Sequence, residues 1–261
     1  MPNEQHSLET LQCRNASRVA EPARVLAGQW GSRLLLRQRP EPVQELTRLL
    51  LNHESAAAGA YVEMLRQNGT TTEEICLQLL PGAARQLGQL WEQDRCGFAE
   101  VTMGVCILHQ VLHRMGPDEV PCPQVGREGQ GSNNVLLTCL PGEQHTFGVL
   151  VVARFLRRAG WSVRCQISVE TEELLQSVRK KSFSIIGVSI GRYSRAGDLT
   201  LLIRALRRAS INPRVLVMVG GPVLALRPQL GWQVGADATA IDAQEAVSRA
   251  QGHWQPMPAR T

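Results

Sequence analysis

One histidine stands where it could do metal chemistry. The stretch TCLPGEQHTFG, residues 138–148, leaves an apolar segment, turns, and enters a helical pattern, so His145 falls on a loop. A neutral imidazole is a good ligand for transition metals. Glu143, two residues earlier, can accept the other ring N–H, which fixes the tautomer and raises the basicity of the free nitrogen. Thr146 and Gly148 complete the loop. Ser189, Gly191 and the pair Gly220-Gly221 fall at the ends of two later apolar segments. Glycines there let a bulky ligand approach the backbone closely. Each type also has an ordinary role: a surface histidine, a helix-capping serine, a plain glycine turn.

These residues need a scaffold, and residues 132–251 supply one. Short apolar runs predict strands at Val135–Leu140, Ser162–Ile167, Ile185–Ile190, Val215–Val219 and Ala238–Ile241. Helical patterns lie between them at about Phe147–Ala159, Glu170–Lys181, Gly197–Ala209 and Leu224–Trp232, with a last helix from Asp242. Continuous apolar strands alternating with helices imply a parallel sheet covered on both faces. The fold class is α/β: a flavodoxin-like, Rossmann-like sheet of five strands, with its ligand at the carboxyl ends of the strands.

A helical bundle precedes it over residues 43–116. Leu46, Leu49, Leu50, Ala57, Tyr61 and Met64 recur at helical spacing. Thr71 with Glu74 reads as a capping box. Pro81 should kink or split the next helix. Residues 1–42 read as a flexible arm, with a short helix within Ala23–Arg37; 117–131, rich in proline and glycine, as a linker; and 252–261 as a tail.

Composition narrows the function. The 43% hydrophobic content of the 261 residues suits a globular core. Seven cysteines, an odd and scattered set without a C-x-x-C pair, fit free thiols rather than a disulfide framework or zinc site. No apolar run reaches the roughly 18–20 residues that cross a bilayer, and the N-terminus has no apolar signal region, so a cytoplasmic protein without membrane contact is expected. The net charge is +5, with two lysines against 26 arginines spread along the chain. No nucleic-acid motif accompanies them, and direct DNA contact is not expected.

The loop resembles the D-x-H-x-x-G motif of cobalamin-binding domains. Glu143 takes the Asp position, and His145 and Gly148 match. Leu156, Gly160 and Val163 fit the family's following helix and strand. Ser189 falls where the family carries S-x-L, with Gly191 in the Leu position, and Gly220-Gly221 matches its glycine pair. The closing GADATAIDAQEAV is similar to its last strand and helix. The resemblance covers about residues 132–250 and implies cobalamin, in adenosyl- or hydroxo-form, with His145 on cobalt. Glu143 and Ser189 would orient it, and Thr146, Gly148, Gly191, Gly220 and Gly221 would line the cofactor, whose benzimidazole tail inserts along the sheet.

The bundle resembles two kinds of light-responsive regulator. In MerR-type cobalamin photoreceptors a Trp covers the upper corrin face, and Trp91 matches it. The Glu-His that follows there is Val101-Thr102 here, with His109 and His113 further along the helix. The string W-E-x-D-x-x-x-F-A-E-V-T-x-G, at Trp91, Glu92, Asp94, Phe98, Ala99, Glu100, Val101, Thr102 and Gly104, is similar to the AerR/PpaA antirepressors of photosynthesis genes in purple bacteria. That resemblance implies a cobalamin-dependent, light-responsive regulator, not an enzyme. Its partner would be a PpsR/CrtJ-type repressor. The alternatives are a corrinoid carrier for methyl transfer and a haem-binding redox sensor. The chain is too short to add the barrel of about 250 residues that a corrinoid mutase needs.

Overall fold

The computed structural model describes residues 41–115 and 133–253. Most of the expected arm, with its helix at Ala23–Arg37, the linker at 117–131 and the tail beyond 253 lie outside the described residues.

Four helical segments open the described chain. Helix α1 (Glu41–Leu51) buries Leu46, Leu49 and Leu50, and α2 (Ser55–Gln67) buries Ala58 and Val62. Each fully buried leucine contributes about 1.5–3 kcal/mol over an exposed one. The third segment starts at α3 (Thr72–Glu74) on the expected capping box. Thr71 Oγ1 accepts the Glu74 N–H at 3.2 Å, and the Glu74 carboxylate accepts the Thr71 N–H at 2.8 Å. A π-helical stretch, Ile75–Leu79, then leads into α4 (Leu80–Glu92). The break expected at Pro81 does not occur. Pro81 sits in the first turn of α4, where a missing N–H costs little, and the wider π turn joins the two α segments into one helical run. Helix α5 (Phe98–Arg114) closes the bundle. A Cβ on Gly104 would lie 2.8 Å from a Leu87 methyl, so glycine sets how closely α5 crosses α4.

The second half alternates strand and helix. Strand β1 (Asn134–Cys139) is followed by α6 (Phe147–Arg158), and β2 (Ser162–Gln166) by α7 (Thr171–Lys180). Then come β3 (Ile185–Ser189), a 3-10 turn (Tyr193–Arg195), α8 (Ala196–Ala209), β4 (Leu216–Gly220), α9 (Pro222–Leu226), α10 (Leu230–Gln233), β5 (Ala238–Ala240) and α11 (Ala243–His253). All pairings are parallel, in the order β2-β1-β3-β4-β5. One face is packed by α7 and α8, whose Leu174, Val178, Leu199 and Leu206 meet Leu136, Ile186 and Val217 of the sheet. Helices α6 and α11 pack on each other and on the strands.

One expected helix, Leu224–Trp232, is two. Pro228 disfavours helical backbone at the residue before it, and Arg227 accordingly leaves the helix at φ −138° and ψ 73°. The order of winding across the sheet reverses between β1 and β3, and the register sets Cys139 beside Ser189 and Ser189 beside Gly220. The ends of β1, β3 and β4 therefore open on one crevice, where doubly wound sheets bind ligands.

Candidate functional site

The loop after β1 is built by a type II turn. Pro141 and Gly142 occupy its centre, Gly142 has φ +78°, and the Glu143 N–H donates to the Leu140 carbonyl at 2.8 Å. Proline presets the first central residue and glycine supplies the positive φ of the second. Arg195, from the loop after β3, pins the turn by donating from Nη1 to the Pro141 carbonyl at 2.7 Å.

The turn drives Glu143 inward and leaves His145 outward. The Glu143 side chain is 4% exposed and that of His145 is 52% exposed. One carboxylate oxygen of Glu143 takes His145 Nδ1 in a short hydrogen bond. The other accepts the Gly191 N–H at 2.8 Å. Burial pushes the Glu143 carboxyl up, but the hydrogen bonds from His145 and from the Gly191 amide outweigh it and hold the group below the ordinary carboxylate range. A carboxylate only accepts, so Nδ1 carries the proton and Nε2 presents its lone pair. That is the arrangement of a metal-ligating histidine held by a carboxylate. The extra methylene of Glu143, relative to aspartate, does not prevent the contact.

The expected residues divide. His145, Glu143 and Gly191 form one hydrogen-bonded unit. Thr146 and Gly148 flank it: Thr146 caps α6 without a side-chain hydrogen bond, and Gly148 is exposed with open space around it. Ser189 ends β3 beside Cys139, and its carbonyl accepts the Leu140 N–H at 2.9 Å. Among the described residues its hydroxyl bonds neither Glu143 nor His145; the Gly191 amide holds the second carboxylate oxygen. Gly220 accepts the Ile190 N–H at 3.0 Å, and Gly221, at φ +116°, lies so close to the Ile190 backbone that any side chain would overlap it. Trp91 lies on α4, 42% exposed, so it is not a core aromatic.

Three contacts missed by sequence reasoning tie this loop to the bundle. Phe147, two residues after His145, stacks on His109 of α5, with ring centres 5.5 Å apart and planes 14° from parallel. Arg154, 7% exposed, donates to the Met115 carbonyl at 3.4 Å. Arg158 pairs with Glu73 of α3. Positions 147, 154 and 158 follow one helical stripe, which was visible as a pattern but whose partners were not. Gly187 was also missed. A Cβ there would lie 2.5 Å from a Leu137 methyl, so a mid-strand glycine opens the space between β3 and β1.

Among the described residues no cluster of three or more His, Cys, Asp or Glu side chains could hold a bare metal ion. A single imidazole suffices where a macrocycle brings the other ligands, and the absence of a side chain on Gly191 lets the His145–Glu143 pair lie against the loop after β3. A 2-1-3-4-5 parallel sheet with a carboxylate-held histidine at its switch point, preceded by a helical bundle, defines the class of corrinoid-binding α/β proteins. The family model for the B12 binding domain matches residues 133–250, and the chain belongs to that family. It is 32% identical over 180 residues to an uncharacterized 20.5 kDa protein of the bchF-crtJ intergenic region of Rhodobacter capsulatus, covering 67% of this chain and 90% of that one. It is 25% identical over 219 residues to dimethylamine corrinoid protein 2 of Methanosarcina mazei, covering 82% and 97%. The monomethylamine corrinoid protein of Methanosarcina barkeri has a similar structure, with a TM-score of 0.63 at 18% identity over 81% of this chain and 98% of that one. Among the described residues no helix is long and apolar enough to cross a membrane.

Proposed function

We propose that the chain is a cobalamin-dependent, light-responsive antirepressor. It holds the cofactor through His145 and associates in the cytoplasm with a PpsR/CrtJ-type repressor, lifting repression of photosynthesis genes. The observation that carries the reading is the half-exposed imidazole whose Nδ1 is fixed by buried Glu143, leaving Nε2 free for cobalt. A cobalamin with an alkyl upper ligand supplies a cobalt–carbon bond that light cleaves. The protein's own part would be to hold the cobalt on His145, to line the tail with Ser189, Gly220 and Gly221, and to cover the corrin with the bundle bearing Trp91. Helix α6 begins two residues after His145 and grips the bundle through Phe147, Arg154 and Arg158, so a change at the loop alters the surface offered to a partner. The relative in the bchF-crtJ intergenic region supports the regulatory role.

The test is association of the adenosylcobalamin-loaded protein with the repressor, measured in the dark and after blue-green illumination. The two states must differ in repressor affinity; equal affinities would contradict the light switch. A corrinoid carrier for methyl transfer is the second reading, favoured by the match over 97% of dimethylamine corrinoid protein 2. It predicts methyl exchange between bound methylcobalamin and a methyltransferase, with no effect of the protein on repressor binding.

A further inference from the structure

The crevice has a positively charged rim that the cobalt ligand does not explain. The loop after β3 runs from Gly191 through Arg192, Tyr193 and Arg195. Arg195 is committed: it pairs with Asp198 at 3.0 Å and donates to Pro141. Arg192 and Arg227 are exposed and form no ion pair with any described residue. Arg227, at the end of the short helix that Gly221 opens, lays its guanidinium over the Tyr193 ring, 4.3 Å from the centre. Contacts run continuously from His145 to Glu143 to Gly191, and Gly191 is bonded in sequence to Arg192 and so to Tyr193 under Arg227. Two uncompensated guanidinium groups, one oriented by an aromatic face, thus border the site that would hold a corrinoid.

A complete cobalamin carries one phosphodiester, in the link between its macrocycle and its nucleotide tail. Guanidinium groups bind such oxygens with charge-assisted hydrogen bonds. We infer that Arg192 and Arg227, set on Tyr193, form a phosphodiester subsite that makes this chain select corrinoids bearing a nucleotide tail. The inference rests on the cobalamin reading of the His145 site and adds a specificity determinant to it. Tyr193 holds Arg227 across the rim.

The experiment titrates full-length protein with hydroxocobalamin and with diaquacobinamide, which lacks the phosphodiester and tail, following visible absorbance. Wild type is compared with the Arg192→Ala/Arg227→Ala double variant, both residues being exposed and outside the core. The expected result is a loss of about tenfold or more in hydroxocobalamin affinity, with diaquacobinamide affinity within about twofold of wild type. Raising salt from about 50 to about 500 mM should erode the wild-type preference and leave the variant's ratio unchanged. Equal weakening of both corrinoids, or none, would overturn the subsite, the second result leaving the arginines for an acidic protein partner. Failure of wild type to bind either corrinoid would overturn the cobalamin reading and the subsite with it. Binding of both with equal affinity would overturn the subsite alone.

Discussion

A methyl group on Gly191 would lie 2.6 Å from Nδ1 of His145 and within 2.9 Å of both oxygens of Glu143. The absence of a side chain on one loop therefore sets the geometry of the imidazole on another. Gly191→Ala should push the imidazole off its carboxylate, whereas the sheet beneath, whose core lies elsewhere, keeps its packing. Hydroxocobalamin affinity should fall about tenfold or more, while the thermal midpoint moves by only a few degrees. Absorbance titration and circular dichroism melts check the two halves.

Glu143 makes the site depend on acid. Its folded pKa lies below the unfolded value, so the stability it contributes is fully present above the ordinary carboxylate pKa of 4.5. That stability is lost as pH falls through the folded value. Protonation also removes the acceptor that holds Nδ1. Glu143→Gln should abolish this acid-side dependence and cost about 10–100-fold in corrinoid affinity at neutral pH. The wild-type and variant melting midpoints, followed from about pH 3 to about pH 7, should diverge most at the neutral end.

The seam between α6 and the bundle should behave as a coupled contact. Phe147 is 6% exposed and stacked on His109. Phe147→Ala should cost about 3–5 kcal/mol, and a double-mutant cycle with His109→Ala should give a coupling of about 0.5–1.5 kcal/mol. Arg158→Ala, which removes a partly exposed ion pair with Glu73, should cost under about 1 kcal/mol. Chemical denaturation of wild type, the three single variants and the double variant measures these values, and additive Phe147 and His109 effects would remove the stack from the account.

His109 gives that seam a pH signature of its own. Burial holds its imidazole below the ordinary value of 6.5, and its Nε2 has no hydrogen-bond partner among the described residues. The neutral ring is the form that packs on Phe147. Its contribution is therefore complete above 6.5 and is lost as pH falls through the lower folded value. His109→Phe should flatten the stability profile just below 6.5 without changing it at pH values above. A variant profile parallel to wild type would contradict this.

The centre of the sheet was legible because β1, β3 and β4 are apolar runs, mostly buried, with Pro141-Gly142 and Gly220-Gly221 marking ends. Strand spans agree with expectation to within a residue or so at each end. The split of α9 from α10 turned on Pro228, a local signal that the helical pattern of Leu224–Trp232 masked. The His145–Glu143 pair was legible because its partners are two residues apart. Arg195, Gly187 and the His109–Phe147 stack were not, because each acts through a neighbour distant in the chain: Pro141, Leu137 and a different helix. Ser189 was placed at the right strand end, but strand register says nothing of where a hydroxyl finds its acceptor. Spacing singles out the imidazole; only the fold shows what holds it still.

The central claim is that Nε2 of His145 is the protein's ligand to a corrinoid metal. Hydroxocobalamin is added to wild type and to His145→Ala, a substitution at a half-exposed loop position that leaves the core intact, and the visible spectra are compared. The account predicts a shift in the wild-type bands to those of imidazole-ligated cobalt, absent from the variant. Identical spectra for the two proteins would contradict it.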